Sequence, residues 1–209
     1  WRKNRIHKIK EYCEKTFLLF PFEQEFYQKH GVPHQFVGHP LLEDLEASLF
    51  NQQQQRFLKE RFGVTQNQKI LSLMPGSRRG ELDRHLDIQL EVARRVLKKY
   101  SHIRLAILVA PNLNKEDILK RLENFKSPYF LLQEEPNKMI SMSDYILCAS
   151  GTATLMVGLL HKPMVIMYKL NVLTGWLVNL FLTVKYFGLV NLILDKEVVP
   201  ERSQAEANP

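Results

Sequence analysis

Ile70-Leu71-Ser72-Leu73-Met74-Pro75-Gly76-Ser77-Arg78-Arg79-Gly80-Glu81 decides how the rest of the chain is read. An apolar run of strand length ends in a glycine turn, and from Asp83 to Tyr100 apolar positions recur at helical spacing. The stretch predicts a strand, a turn and a helix. Two glycines let the backbone turn tightly and come close to a ligand, and the amides at a helix start favour an anion. Arg78 and Arg79 add positive charge at the same place. Phosphate or diphosphate suits such a turn, with Gly76 and Ser77 offering backbone and Arg78 offering charge. Glycine-serine-arginine turns are also common punctuation in α/β proteins, so this stretch by itself leaves a plain structural turn open.

The residues that follow repeat the pattern. Strand 103–109 leads to helix 115–125, strand 129–132 precedes a short helix at 138–142, and strand 145–148 feeds Ala149-Ser150-Gly151-Thr152-Ala153-Thr154. A helix then runs to Leu160, and Met164 to Met167 is the last clear strand. Short apolar strands alternating with helices predict an α/β fold with a parallel sheet covered by helices on both faces. In such sheets ligands bind beyond the carboxyl ends of the strands, where the strand order reverses. Both glycine turns, at Gly76 and Gly151, follow strands and face that edge. Ser150, Gly151 and Thr152 place small side chains, hydroxyls and helix-start amides together, which suits a diphosphate. Arg78 from the opposite loop is then placed to clamp the same phosphates. Neither turn ends in the lysine and serine or threonine of a P-loop, and neither reads Gly-x-Gly-x-x-Gly, which argues against ATPase and dinucleotide dehydrogenase chemistry.

Upstream the chain is more basic. Arg2, Lys3, Arg5, Lys8 and Lys10 surround Ile6 and Ile9, as in a helix with one apolar stripe, either solvated or leaning on anionic lipid. Phe17 to Phe20 reads as a short strand ended by Pro21, Phe22 to His30 as a helix ended by Gly31, and Gln35 to Val37 as a strand running into Gly38-His39-Pro40. His39 is a catalytic candidate, although a histidine in such a corner more often hydrogen-bonds a neighbouring turn. The polar stretch 41–55, with glutamine at 52–55, is the best internal boundary. Leu170 to Val184 holds 15 uncharged residues between Lys169 and Lys185. A membrane span needs about 20, so this segment predicts an amphipathic or half-buried helix that packs in the core or touches acyl chains.

The net charge of +7 favours anionic partners without choosing among them. Cys13 and Cys148 lie far apart, which argues against a disulfide framework and for a reducing cytoplasm. The seven histidines show no His-Glu-x-x-His spacing, so no metal and no cofactor are expected. Gly-x-Ser-x-Gly is absent, which argues against a serine nucleophile. Basic residues are spread without an aromatic-interleaved stripe, so no nucleic-acid partner is expected either. With Trp1 first and Gln204 to Pro209 last among its 209 residues, the chain reads as a piece of something longer.

An ordered set of short motifs resembles one family. Phe20-Pro21-Phe22-Glu23 with Phe26-Tyr27, Gly31-Val32-Pro33, Phe36-Val37-Gly38-His39-Pro40-Leu41, Leu73-Met74-Pro75-Gly76-Ser77-Arg78, Ala149-Ser150-Gly151-Thr152-Ala153-Thr154-Leu155, Pro163-Met164-Val165 and Asn191-Leu192 are similar to lipid-A-disaccharide synthase, in the family's order across nearly the whole chain. The resemblance implies the C-terminal half of a GT-B glycosyltransferase, a Rossmann-like sheet that binds a UDP-sugar. Residues 1–40 would be the trailing edge of an N-terminal acceptor domain and 41–209 the UDP-sugar domain with an incomplete tail. It implies transfer of diacylglucosamine from UDP to a second, phosphorylated diacylglucosamine, lipid X, at the cytoplasmic face of the Gram-negative inner membrane. It implies no cofactor, a peripheral contact with that membrane surface, and it admits a homodimer.

Carried over by position, the resemblance gives catalytic roles to Arg78 and Asn191 and diphosphate contacts to Gly76, Ser77, Ser150, Gly151 and Thr152. It puts His39 at the domain junction. Met156 departs from the family's glutamate, which in related folds accepts hydrogen bonds from ribose, and a thioether is a poor acceptor. The fragment alone is expected to bind UDP without catalysing, its base lying upstream. A UDP-sugar epimerase of the same fold, a non-catalytic UDP-sugar-binding module and a lipid-surface domain remain alternatives.

Overall fold

Apolar runs bounded by glycine, proline and charged residues become strands, and the amphipathic runs between them become helices. A computed structural model describes residues 5–46, 52–133, 135–169 and 186–203. The apolar segment 170–184 lies outside the described residues. The chain divides into two compact units, residues 1–47 and 48–209.

In the first unit α1 (Arg5–Tyr12), β1 (Thr16–Leu18), α2 (Glu23–Lys29), β2 (His34–Phe36) and α3 (Leu41–Glu46) follow in order. β1 and β2 pair in parallel, with Thr16 opposite His34. Ile6, Leu18 and Val32 are buried and supply its small core. Gly31, at φ +62°, ends the turn of helix that Glu23–Lys29 begins. His39 accepts a hydrogen bond from the Leu41 N–H at Nδ1, 3.1 Å away, and its ring lies 5.4 Å from that of Phe20.

The second unit begins with α4 (Gln52–Arg61), β3 (Lys69–Met74), α5 (Arg79–Lys99), β4 (Ile103–Leu108), α6 (Lys115–Leu122) and β5 (Tyr129–Leu132). It continues with α7 (Pro136–Met142), β6 (Tyr145–Ala149), α8 (Thr152–Leu159), β7 (Met164–Tyr168), α9 (Leu189–Leu194) and β8 (Glu201–Ser203). These strands form one sheet in the order β5-β4-β3-β6-β7-β8, every neighbouring pair parallel. The order grows one way from β3 and the other way from β6, so it reverses between those two strands.

Alternate residues of each strand face opposite sides. Leu71, Leu73, Leu105, Ile107, Leu147 and Met167 pack with Leu82, Leu86, Leu90 and Ala93 of α5 and Ile118 and Leu122 of α6. On the other side the Ser72 and Ser143 hydroxyls pair at 2.6 Å, and Ser143 donates to the Met139 carbonyl of α7 at 2.9 Å. Helices thus cover both faces.

Asp144 fixes the amino ends of the two central strands. Its carboxylate accepts from the Ile70 N–H at 2.8 Å, from Lys59 Nζ at 2.6 Å and from Lys69 Nζ at 3.3 Å. Burial would raise its pKa, but these three donors outweigh burial and hold it below the ordinary carboxylate value.

Two expectations need correction. The helix after the first glycine turn starts at Arg79, not near Asp83, because Arg78 already takes extended backbone as its cap and the Glu81 and Leu82 amides already bond back to the Arg78 carbonyl. The strand at 164–167 is not the last: β8 adds a parallel edge beyond it, through bonds such as the Ile166 N–H to Pro200 O at 2.9 Å.

Candidate functional site

Met74 at the end of β3 lies opposite Cys148 near the end of β6, so the loops that leave these strands emerge side by side at the order reversal. A cavity of about 320 Å³ opens there. Gly76, Ser77, Arg78 and Glu81 line one side of it, and Ser150, Gly151, Thr152 and Met156 line the other. Leu108 to Pro111 at the end of β4, with Pro136, Met139 and Ile140 of α7, form an apolar wall. A larger cavity of about 640 Å³ lies between Val92, Tyr145 and Val165. It touches neither glycine turn, so the smaller cavity is where the chemistry converges.

The first turn is closed by its own helix. Gly76 has φ +121°, and a Cβ there would come within 2.5 Å of Glu81 Cβ and 2.6 Å of Glu81 Oε2. Only glycine meets both demands. Glu81, in the first turn of α5, reaches back and accepts the Ser77 N–H on Oε2 at 2.9 Å. Its Oε1 stands 3.7 Å from Arg78 Nη1, and the Arg78 side chain is 83% exposed. From the other side Asn112 Nδ2 donates to the Ser77 carbonyl at 2.7 Å. The Ser77 amide that the sequence offers to a phosphate is therefore held by the protein's own carboxylate, and Arg78 is the group this turn has to give.

The second turn is open. Gly151 caps α8, no side chain caps that helix, and no acidic residue stands in its first turn. A Cβ on Gly151 would meet no atom of the described residues within 4 Å. The first amides of a helix have no partner inside it, so an anion arriving at this turn meets donors and no resident carboxylate. Thr154 Oγ1 donates to the Gly151 carbonyl at 2.8 Å and fixes the turn from behind. The Ser150 hydroxyl, read from the sequence as a donor to ligand, donates instead to the Phe187 carbonyl at 2.8 Å.

Asn191 is not among the residues that line the cavity; it is fully buried. Its Nδ2 donates to the Val199 carbonyl at 2.8 Å and to Glu201 Oε1 at 2.7 Å, while Oδ1 accepts the Val198 and Val199 amides at 2.9 and 3.0 Å. A primary amide has no further capacity. Glu201 also accepts the Phe187 amide at 2.7 Å and the Gly188 amide at 3.0 Å, where α9 starts. Asn191 and Glu201 thus hold the backbone that receives the Ser150 hydroxyl, one step removed from the open turn. His39 belongs to the first unit. Among the described residues no three His, Cys, Asp or Glu side chains come together to hold a metal ion.

His85 ties the closed turn's helix to the end of β7. It is buried, its Nε2 accepts the Lys169 N–H at 3.1 Å, and its Nδ1 lies 2.8 Å from the Glu81 carbonyl. An acceptor at Nε2 makes Nδ1 the donor, which is the neutral ring. Burial pushes its pKa below the ordinary value, more than the Glu81 carbonyl raises it.

Sequence reading missed Glu81, Glu201 and Gln133, whose Nε2 donates to the Ala110 and Leu113 carbonyls at 3.1 and 2.7 Å and shapes the loop beside the cavity. Glu81 had a signal: an acidic residue at the third position of a helix is half of a capping box. Placing the helix start near Asp83 hid it. Nothing local marks Glu201 or Gln133, whose partners come from distant segments.

The lipid-A-disaccharide synthetase family model matches residues 1–209. The chain belongs to this family. A lipid-A-disaccharide synthase of Myxococcus xanthus is 32% identical over 209 residues, covering 100% of this chain and 54% of its own length. One from Colwellia psychrerythraea is 36% identical over 214 residues, covering 100% of this chain and 53% of its own. The chain spans about half the length of the curated relatives it matches. Among solved structures, Anabaena HepE in complex with UDP-glucose superposes with TM-score 0.59 at 10% identity, over 99% of this chain and 56% of that one. WaaG, a glycosyltransferase involved in lipopolysaccharide biosynthesis, gives 0.54 at 14% identity, over 91% of this chain and 49% of that one. The fold is that of GT-B glycosyltransferases.

Proposed function

We propose that the cavity between the two glycine turns binds the UDP portion of a lipid-linked sugar donor. The parent enzyme would transfer diacylglucosamine from UDP to the hydroxyl of lipid X. One observation carries this reading: the adjacent strands β3 and β6 deliver an uncapped helix start and an arginine to one cavity with an apolar wall. The apolar wall from Leu108 to Pro111 with Met139 suits the flat face of a base, and the open turn suits the diphosphate. Family membership supports the lipid A chemistry. Anionic, membrane-borne substrates fit a net charge of +7 and a peripheral place at the inner face of the inner membrane. Among the described residues no helix is long and apolar enough to cross a membrane.

In this reading the acceptor hydroxyl attacks the anomeric carbon directly with inversion, the bond from that carbon to the diphosphate oxygen breaks, and UDP leaves with the electron pair. The hydroxyl proton goes to a base outside these 209 residues. Arg78 and the α8 amides stabilise charge on the departing diphosphate, and Asn191 acts as a positioning residue through Glu201 and Phe187. A non-catalytic UDP-sugar-binding module is the second reading, favoured by Met156 in the cavity wall. Calorimetry with UDP tests the site: saturable binding to the chain is expected, and no heat with either the wild type or a Met156→Glu variant would overturn it. Product analysis of the full-length parent with both lipid substrates separates the enzyme from the module.

A further inference from the structure

We infer that Glu81 is a counter-anion built into the site, which Arg78 leaves when it takes the diphosphate of the donor. The inference rests on the proposed UDP reading and concerns how that site is regulated.

Among the described residues that line the cavity, Arg78 and Glu81 are the only ionisable ones. The charges of these two residues balance, and a diphosphate brings at least two negative charges against them. Something must shift to receive them. The two partners are held unequally. Glu81 is 21% exposed, is bonded to the Ser77 amide at 2.9 Å, and has its Cβ packed over Gly76. Its main-chain carbonyl is engaged by His85 at 2.8 Å. Arg78 is 83% exposed, stands 3.7 Å from the carboxylate, and projects from extended backbone at the helix cap. A contact that long to a guanidinium that exposed contributes little. The arginine is thus the part that moves.

Once it moves, Glu81 does not become an orphan charge. It keeps the Ser77 N–H and the positive end of α5. The carboxylate then competes with the diphosphate for one guanidinium. That competition moderates affinity and gives Arg78 a partner to return to when UDP departs.

The test is UDP calorimetry on the full chain as wild type, Glu81→Gln, Arg78→Ala and the double variant. Glutamine keeps an oxygen for the Ser77 amide and removes the charge. We expect Glu81→Gln to lower the UDP Kd about three- to tenfold, with the gain falling below about twofold on the Arg78→Ala background. Unchanged or weaker binding by a Glu81→Gln chain of normal unfolding midpoint would overturn the inference, as would a gain fully kept without Arg78. The wild-type chain gives a measurement that needs no variant. On adding UDP the Arg78 Nε–H resonance should shift while the Ser77 amide stays in place, and the reverse pattern would overturn the exchange. Absence of UDP binding by every chain would defeat the functional reading together with the inference, whereas binding that ignores Glu81 defeats the inference alone.

Discussion

The two glycine turns follow neighbouring strands of one sheet and start helices at the same edge, yet one is shut and the other open. At Gly76 the turn is stitched from both sides, by Glu81 onto the Ser77 amide and by Asn112 onto the Ser77 carbonyl. At Gly151 no atom of the described residues lies where a side chain would point, and no carboxylate stands in the first turn of α8. The same sequence grammar of strand, glycine, hydroxyl and helix therefore builds a rigid mount for one arginine in the first case and a bare anion receptor in the second. What separates them is the acidic residue three positions into α5, which has no counterpart in α8.

Substitution at the two glycines should break the comparison cleanly. Gly76→Ala is expected to cost about 3 to 4 kcal/mol of stability, from positive φ and displaced Glu81, as read by urea denaturation. Gly151→Ala should cost less, about 1 to 2 kcal/mol, because Gly151 at φ +158° also holds a backbone that glycine favours but no side chain has to be displaced, while weakening UDP binding roughly tenfold by filling the open face. Equal stability losses would erase the distinction. Next in size is Asn191→Ala, expected to cost about 2 to 3 kcal/mol because the Val198 and Val199 amides and Glu201 each lose a partner. A chain of unchanged midpoint with abolished UDP binding would instead make Asn191 a ligand contact. Arg78→Ala should leave stability within about 0.5 kcal/mol and weaken UDP binding about tenfold. In a full-length parent it should also slow turnover.

The smallest effect is on pH. Because His85 has a folded pKa below its unfolded value, the unfolded chain takes up its proton first. The stability it allows is fully present above about 6.5, the unfolded value, and is lost as pH falls below that toward the folded pKa. Urea midpoints measured from pH 7 downward should fall more steeply for the wild type than for His85→Asn, and parallel slopes would remove His85 from the account.

The sheet was largely legible in the sequence, because strands buried on both faces are written as continuous apolar runs such as Leu105 to Leu108 and Ile146 to Ala149. β8 was not, since Glu201-Arg202-Ser203 is a polar edge strand that exists through its pairing with β7. Of the residues the sequence singled out, Gly76, Ser77, Arg78, Ser150, Gly151, Thr152 and Met156 line one cavity, and Asn191 does not. Their division of labour was not legible. It depends on where α5 begins, since a start at Arg79 brings Glu81 into the first turn and onto the Ser77 amide. Asn191 sits between apolar Val190 and Leu192 in sequence, and nothing there announces that Glu201 uses its amide.

Backbone amide resonances of the chain, followed during a UDP titration, bear most directly on the claim that the open turn receives the diphosphate. The account predicts saturable shifts, largest at Gly151, Thr152 and Ala153, with the Ser77 amide nearly still. Equal or larger shifts at Gly76 and Ser77, with the start of α8 unmoved, would contradict it.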